Sequence, residues 1–112
     1  MILNIYSIYD TAAAAYMRPF YLQSDGQAMR AFKDIATDAE HDVGRHPEDY
    51  HLVRIGTFND QKGRLVPEDV EVLATALEVV AQARQIAPGA LKQHELGLNG
   101  ESDAQVGDES QL

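Results

Sequence analysis

The 112-residue chain contains no cysteine and no tryptophan. Without Cys there is no disulfide framework, no thiolate nucleophile and no Cys-ligated zinc. That suits a reducing compartment without requiring one. Long apolar runs are missing too: none approaches the roughly 20 residues that span a bilayer. The opening residues lack the basic region and cleavage pattern of a signal peptide, so export is not expected. Positive charge is scarce, with 9 Lys and Arg against 18 Asp and Glu, a net of −9. Affinity for nucleic acid rests largely on Lys and Arg at phosphates. An acidic body therefore argues against strong nonspecific binding, though it leaves room for a local basic patch.

Catalytic motifs are absent as well. No GxGxxG or GxxxxGK[ST] pattern surrounds Gly26, so no phosphate loop is expected. No GxSxG element occurs, and Ser7, Ser24, Ser102 and Ser110 lie in no motif that marks a nucleophile. The chain is not expected to be an enzyme, and no cofactor is implied.

What is present is an ordinary globular composition, 45% hydrophobic, sufficient for one modest core. The acidity is spread along the chain: residues 1–87 carry a net of −5 and residues 88–112 a net of −4. Apolar residues thin out after Pro88, while Gly recurs at 89, 97, 100 and 107. The expectation is a single α+β domain over 1–87 and an acidic, mostly disordered tail over 88–112, with a short helical patch at Leu91 to Leu96 as an alternative within it.

Met1 to Tyr9 reads as a strand with apolar residues on both faces, as in an interior or interface strand. Asp10 to Ala15 is the connection, although its Ala run could form a helical turn. Arg18 to Gln23 reads as a second strand, with Pro19 near its start. Ser24 and Gln27 stand in capping-box positions. They open a helix whose face carries Ala28, Phe32, Ile35 and Ala36, with Met29 at the border, and which fades near Thr37 to Glu40. Residues 38–49 are polar and read as a loop. Tyr50 to Phe58 is a strand rich in β-branched and aromatic residues. Asn59 to Gly63 is a hairpin turn ending in a Gly suited to positive φ. A short fourth strand, Arg64 to Val66, follows. Pro67-Glu68-Asp69 then has the chemistry of a helix start. Val70, Leu73, Ala74, Leu77, Val80 and Ala81 fall on one helical stripe, which Pro88-Gly89 ends. The expected order is β-β-α-β-β-α, a mostly antiparallel sheet with the helices on one face.

His46-Pro47-Glu48-Asp49-Tyr50 and Ile55-Gly56-Thr57-Phe58-Asn59-Asp60, preceded by Ile5-Tyr6-Ser7-Ile8-Tyr9-Asp10, Arg18-Pro19-Phe20 and Asp25-Gly26-Gln27-Ala28-Met29-Arg30-Ala31-Phe32, resemble the small non-structural protein of gokushovirus-type single-stranded DNA phages (Microviridae). The resemblance covers about residues 1–85. It implies a non-virion protein made in the cytoplasm of an infected bacterium, serving single-stranded genome synthesis or packaging. It carries over no catalytic residue. The implied partners are phage replication or capsid-assembly proteins, with weak single-stranded DNA contact as an addition.

Each candidate site has a plainer reading beside it. His41, His46 and His51 recur every five residues among Asp42, Glu48 and Asp49. That spacing matches no zinc pattern and no single face of a helix or strand, so a polar loop is expected and no metal. Glu48 and Asp49 are neighbours that point apart in an extended segment, and they read as turn acids more than as an acid–base pair. Asp10 reads as a turn residue. Arg18, Arg30, Lys33, Arg54 and Arg64 with Tyr6, Tyr16, Phe20, Tyr21 and Phe58 supply the cations and rings that single-strand binding uses, although such aromatics more commonly fill cores. Arg18, Arg54 and Arg64 are the candidate DNA-contact residues. The expected function is thus non-enzymatic assistance through protein–protein contacts, with direct single-stranded DNA binding as the alternative. Exposed sheet edges and the two-sided first strand favour a homo-oligomer.

Overall fold

A computed structural model describes residues 1–85. It has five strands and three helices: β1 (Ile2–Asp10), β2 (Ala15–Tyr16), β3 (Phe20–Leu22), α1 (Asp25–Ala36), α2 (Asp42–Arg45), β4 (Tyr50–Asn59), β5 (Arg64–Thr75) and α3 (Ala76–Arg84), with a 3₁₀ turn at Pro47–Asp49 before β4. Every pairing is antiparallel. The sheet runs β2-β1-β4-β5, and β3 shares with β2 the same side of β1. The α+β class and the antiparallel sheet match the sequence reading, and β1 is the interior strand that its two apolar faces imply.

Asp10 makes the turn after β1. Its Oδ1 accepts from the Ala12 and Ala13 amides at 3.0 and 3.1 Å. The Ala run that follows is a turn into the two-residue strand β2, with Ala14 at φ 54. Ser24 caps α1, its Oγ accepting from the Gln27 amide at 3.2 Å. The return arm differs from the expected box: Gln27 Oε1 accepts from Gln23 N–H, one residue before the cap. Ala28, Phe32 and Ala36, four residues apart, form the buried stripe of α1. Between β4 and β5, Asn59 Oδ1 accepts from the Gln61 and Lys62 amides, and Gly63 takes φ 63. The turn chemistry read from sequence is realised there.

Two expectations are corrected. Residues 38–49 are not a plain loop. They hold α2, capped by His41 Nδ1 accepting from the Val43 amide at 3.1 Å, and the turn at Pro47–Asp49. Val43 and Pro47 are buried, so this connection contributes to the core. The second correction is larger. The fourth strand does not stop at Val66, and no helix opens at Pro67: β5 continues to Thr75, and α3 begins at Ala76. Pro67 is tolerated because β5 is the edge strand, where a missing N–H breaks no ladder. Glu68, Asp69 and Val70 bulge opposite Ile55, because Gly56 pairs with Pro67 and Arg54 with Glu71. The helix signal instead lies at Thr75. Its side chain accepts from the Glu78 amide while the Glu78 carboxylate accepts from the Thr75 amide, a complete capping box.

The three described helices pack on one sheet face. Tyr6, Ile8, Tyr50, Leu52 and Ala74 meet Ala28, Phe32, Ala36, Val43, Val79, Val80 and Ala81 in one core. Leu73 and Leu77 flank that core half-buried, whereas Val70 is exposed.

Candidate functional site

The densest polar constellation surrounds Arg54. This residue sits mid-β4 in register with Tyr6 of β1 and Glu71 of β5, on the helix-bearing face. Arg54 Nη1 donates to Asp25 Oδ2 at 2.5 Å, and Nη2 donates to Glu71 Oε1 at 2.5 Å. Glu68 Oε1 lies 3.9 Å from Nε. Asp25, in the first turn of α1, also accepts from the fully buried Tyr6 hydroxyl at 2.8 Å, and that oxygen accepts from Asn4 Nδ2 at 2.9 Å. Strand β1, helix α1, strand β4 and strand β5 are therefore linked through one guanidinium. The Tyr6 hydrogen bond, with Arg54 beside it, holds the Asp25 carboxyl below its usual range. Burial, reinforced by Asp25, pushes the Tyr6 phenol up. The hydrogen bond to Asp25 likewise raises Arg54. Three carboxylates around one guanidinium leave this cluster with a surplus of negative charge, which is structural glue and a poor phosphate clamp.

The opposite sheet face is of another kind. Register places Leu3, Ile5, Ser7 and Tyr9 of β1 there, beside His51, Val53 and Phe58 of β4, Leu65 and Val72 of β5, Tyr16 of β2 and Tyr21 of β3. None of these side chains is an acid, a lysine or an arginine, in a chain that is 24% charged. Ile5, Ser7 and Val53 are buried at its centre. Around them Tyr16, Tyr21, Leu65 and Val72 are 53%, 44%, 59% and 54% exposed. Tyr21 meets Phe58 edge-on, with ring centroids 5.7 Å apart, and Tyr9 packs on Tyr16 at 4.6 Å. None of the buried helix side chains joins this face.

The three candidate DNA-contact arginines are not brought together. Arg64 pairs with Asn59, which pairs with Ile2 at one end of β1. Arg18 follows Met17, whose amide bonds to the Ile8 carbonyl near the other end. Six residues of strand separate those positions, roughly 20 Å. Arg54 lies between them with its guanidinium already paired. The histidines are likewise dispersed: His41 caps α2, His46 lies 3.9 Å from Glu48, and His51 faces Tyr9 across the sheet. Among the described residues no three His, Asp or Glu side chains converge as metal ligands. Glu48 and Asp49 sit in the first turn of the 3₁₀ segment, whose N-cap residue His46 makes no side-chain capping hydrogen bond.

The phage ORF5 protein family matches residues 3–79. The chain belongs to that family. It is 35% identical over 72 residues to Protein ORF5 of Chlamydia phage 1, a gokushovirus, across 61% of this chain and 75% of that relative. No solved structure matches. The family match runs from β1 into α3, so it takes in the whole sheet, the Arg54 cluster and the uncharged face.

Sequence reasoning missed the Asp25–Arg54 pair and caught that face only as the apolar side of the first strand. The face had a usable signal in β1, where Leu3, Ile5, Ser7 and Tyr9 alternate without a charge. The pair had none, because its members are 29 residues apart and meet only once α1 docks. No helix among the described residues is long and apolar enough to cross a membrane.

Proposed function

We propose that this phage protein is non-enzymatic, works in the cytoplasm of the infected bacterium, and assists single-stranded genome synthesis or packaging by contacting replication or capsid-assembly proteins of the phage. The observation that supports a protein partner most directly is the engagement of Arg54. The most central arginine of the sheet is held by Asp25 and Glu71, and Arg18 and Arg64 stand apart. A surface of net negative charge then repels phosphate, whereas protein partners tolerate or use it. A crosslinking pull-down from infected cells, with and without nuclease, tests the reading. Phage proteins that remain bound after nuclease support it. Recovery of viral single strands alone overturns it.

One observation favours the second reading, direct single-stranded DNA binding. Tyr9, Tyr16, Tyr21 and Phe58 lie on one sheet face, and exposed rings on a sheet can stack bases. Such platforms ordinarily pair the rings with a basic groove that tracks the backbone. Here the face itself carries no Lys or Arg.

A further inference from the structure

We propose that two copies of this chain pair through the uncharged sheet face, with Tyr16, Tyr21, Leu65 and Val72 of each copy in the contact. Three properties of the face select a second copy as its occupant. The first is charge. Each chain carries a net of −9, so two copies repel wherever acidic surfaces meet. Across β3, β1 and β4, and at Leu65 and Val72 of β5, the face offers an approach with no acid, lysine or arginine side chain to desolvate or oppose. A nucleic acid, or a basic protein drawn to the acidic body, would have no ionic partner there.

The second property is shape. An antiparallel sheet with helices on one face and apolar residues on the other is half of a three-layer or sandwich arrangement. A two-fold axis supplies the missing layer from an identical surface, because an isologous contact needs only self-complementarity. Rings and aliphatic side chains without charge satisfy that requirement in many registers.

The third is size. Four strand lanes about 4.8 Å apart and about 20 Å long give an apolar footprint of roughly 400 Å² before any rim is counted. That lies within the range of large apolar patches on monomers and below the roughly 800 Å² per partner of a standard stable interface. The pair is accordingly weak, with dissociation in the micromolar range or above.

Sedimentation equilibrium of the full chain, from low micromolar to near-millimolar concentration, tests the pairing. The expected weight-average mass climbs from 12.4 kDa toward twice that value. Added salt should tighten association, because it screens the repulsion between two acidic bodies while leaving an apolar contact intact. Leu65→Asp with Val72→Asp should weaken pairing by more than about tenfold, since each new charge would be buried at the contact. Both positions are exposed in the single chain, so the melting temperature of the dilute protein should hold. Should the double variant misfold, Tyr16→Ser with Tyr21→Ser tests the opposite side of the same face. The proposal fails if the wild-type chain stays monomeric throughout, if dimers persist unchanged in a folded variant, or if salt dissolves them. It fails equally if mass rises only when single-stranded DNA is added, which would assign the face to nucleic acid.

Discussion

Arg54 and Asp25 meet at 2.5 Å across 29 residues of sequence, pinning the middle of β4 to the first turn of α1. The pair is only partly buried. Arg54 is 25% exposed and Asp25 43% at the side chain, so solvent screens it and its Coulombic share is modest. Its larger consequence is positional. Asp25 also holds the buried Tyr6 hydroxyl, and Arg54 also holds the edge strand through Glu71.

The first prediction concerns pH. The Asp25 carboxyl titrates below its usual range in the folded chain. Between that lowered value and the ordinary one near 3.9, the unfolded state binds more protons than the folded state. Stability from this group is therefore present above about pH 4 and is lost as pH falls through the folded value. The raised Tyr6 phenol acts at the other end. Its contribution is present below about pH 10 and is lost as pH rises beyond that. Urea midpoints measured from pH 5 downward should fall less steeply in Asp25→Asn than in wild type. Parallel curves would mean that Asp25 is not the acid-sensitive group.

A second prediction contrasts two glycines. A Cβ at Gly44 would stand 1.8 Å from the Asp38 carbonyl oxygen, which is backbone and cannot swing aside. Gly44→Ala should cost about 1–3 kcal/mol through forced displacement of α2. At Gly26, in the first turn of α1, the nearest atom to an added Cβ is Ser24 Oγ at 3.9 Å. Gly26→Ala should be neutral or stabilise by up to about 1 kcal/mol, through helix propensity and a less flexible unfolded chain. Thermal melts of the two variants should move in opposite directions or, at least, differ clearly in size.

The third prediction ranks core positions. Phe32 is fully buried between α1 and the sheet, and Val80 is nearly so on α3. Phe32→Ala should cost about 3–5 kcal/mol. Leu77 is half-buried at the margin of the same core, so Leu77→Ala should cost less than Phe32→Ala. Thr75→Ala, which removes the capping box of α3, should cost about 1 kcal/mol. Chemical denaturation of the three variants gives the order directly. A Leu77→Ala loss matching that of Phe32→Ala would place Leu77 at the centre of the core.

These positions also show where the fold was legible. Ser24, the Ala28–Phe32–Ala36 spacing and the Asn59–Gly63 turn are local codes, and each was realised where the sequence put it. The α3 boundary failed because two local codes competed. Pro67-Glu68-Asp69 has helix-start chemistry, but Val70-Glu71-Val72 alternates as an edge strand, and pairing with β4 from Val53 to Asn59 decided the contest. Thr75 and Glu78, the true cap, spell the box three residues apart. The candidate site was less legible, because neither the partner of Arg54 nor a charge-free face exists until strand register is set. Arg18, Arg54 and Arg64 were chosen for residue type, and register then separated them.

The last prediction separates the two functional readings through those arginines. If the protein works by protein contact, purified chain should bind single-stranded DNA only in the nonspecific range of about 10⁻⁴–10⁻⁶ M at physiological salt. Fluorescence anisotropy at several salt concentrations measures both affinity and slope. Removing an arginine that neutralises a phosphate should lower that slope by about one unit. Arg54 is already bonded to Asp25 and Glu71, so Arg54→Ala should leave the slope unchanged and reduce stability instead. Arg64 lies exposed just beyond the hairpin turn, and Arg64→Ala should lower the slope by at most about one unit. Submicromolar binding that falls steeply with salt, and a slope reduced by about two in the Arg54→Ala, Arg64→Ala double variant, would show that Arg54 leaves its carboxylates for phosphate. That result would sink the protein-contact reading and assign the sheet to nucleic acid. A shallow slope, with the double variant changed only in melting temperature, would leave Arg54 as the bolt between sheet and helix and turn the search toward protein partners.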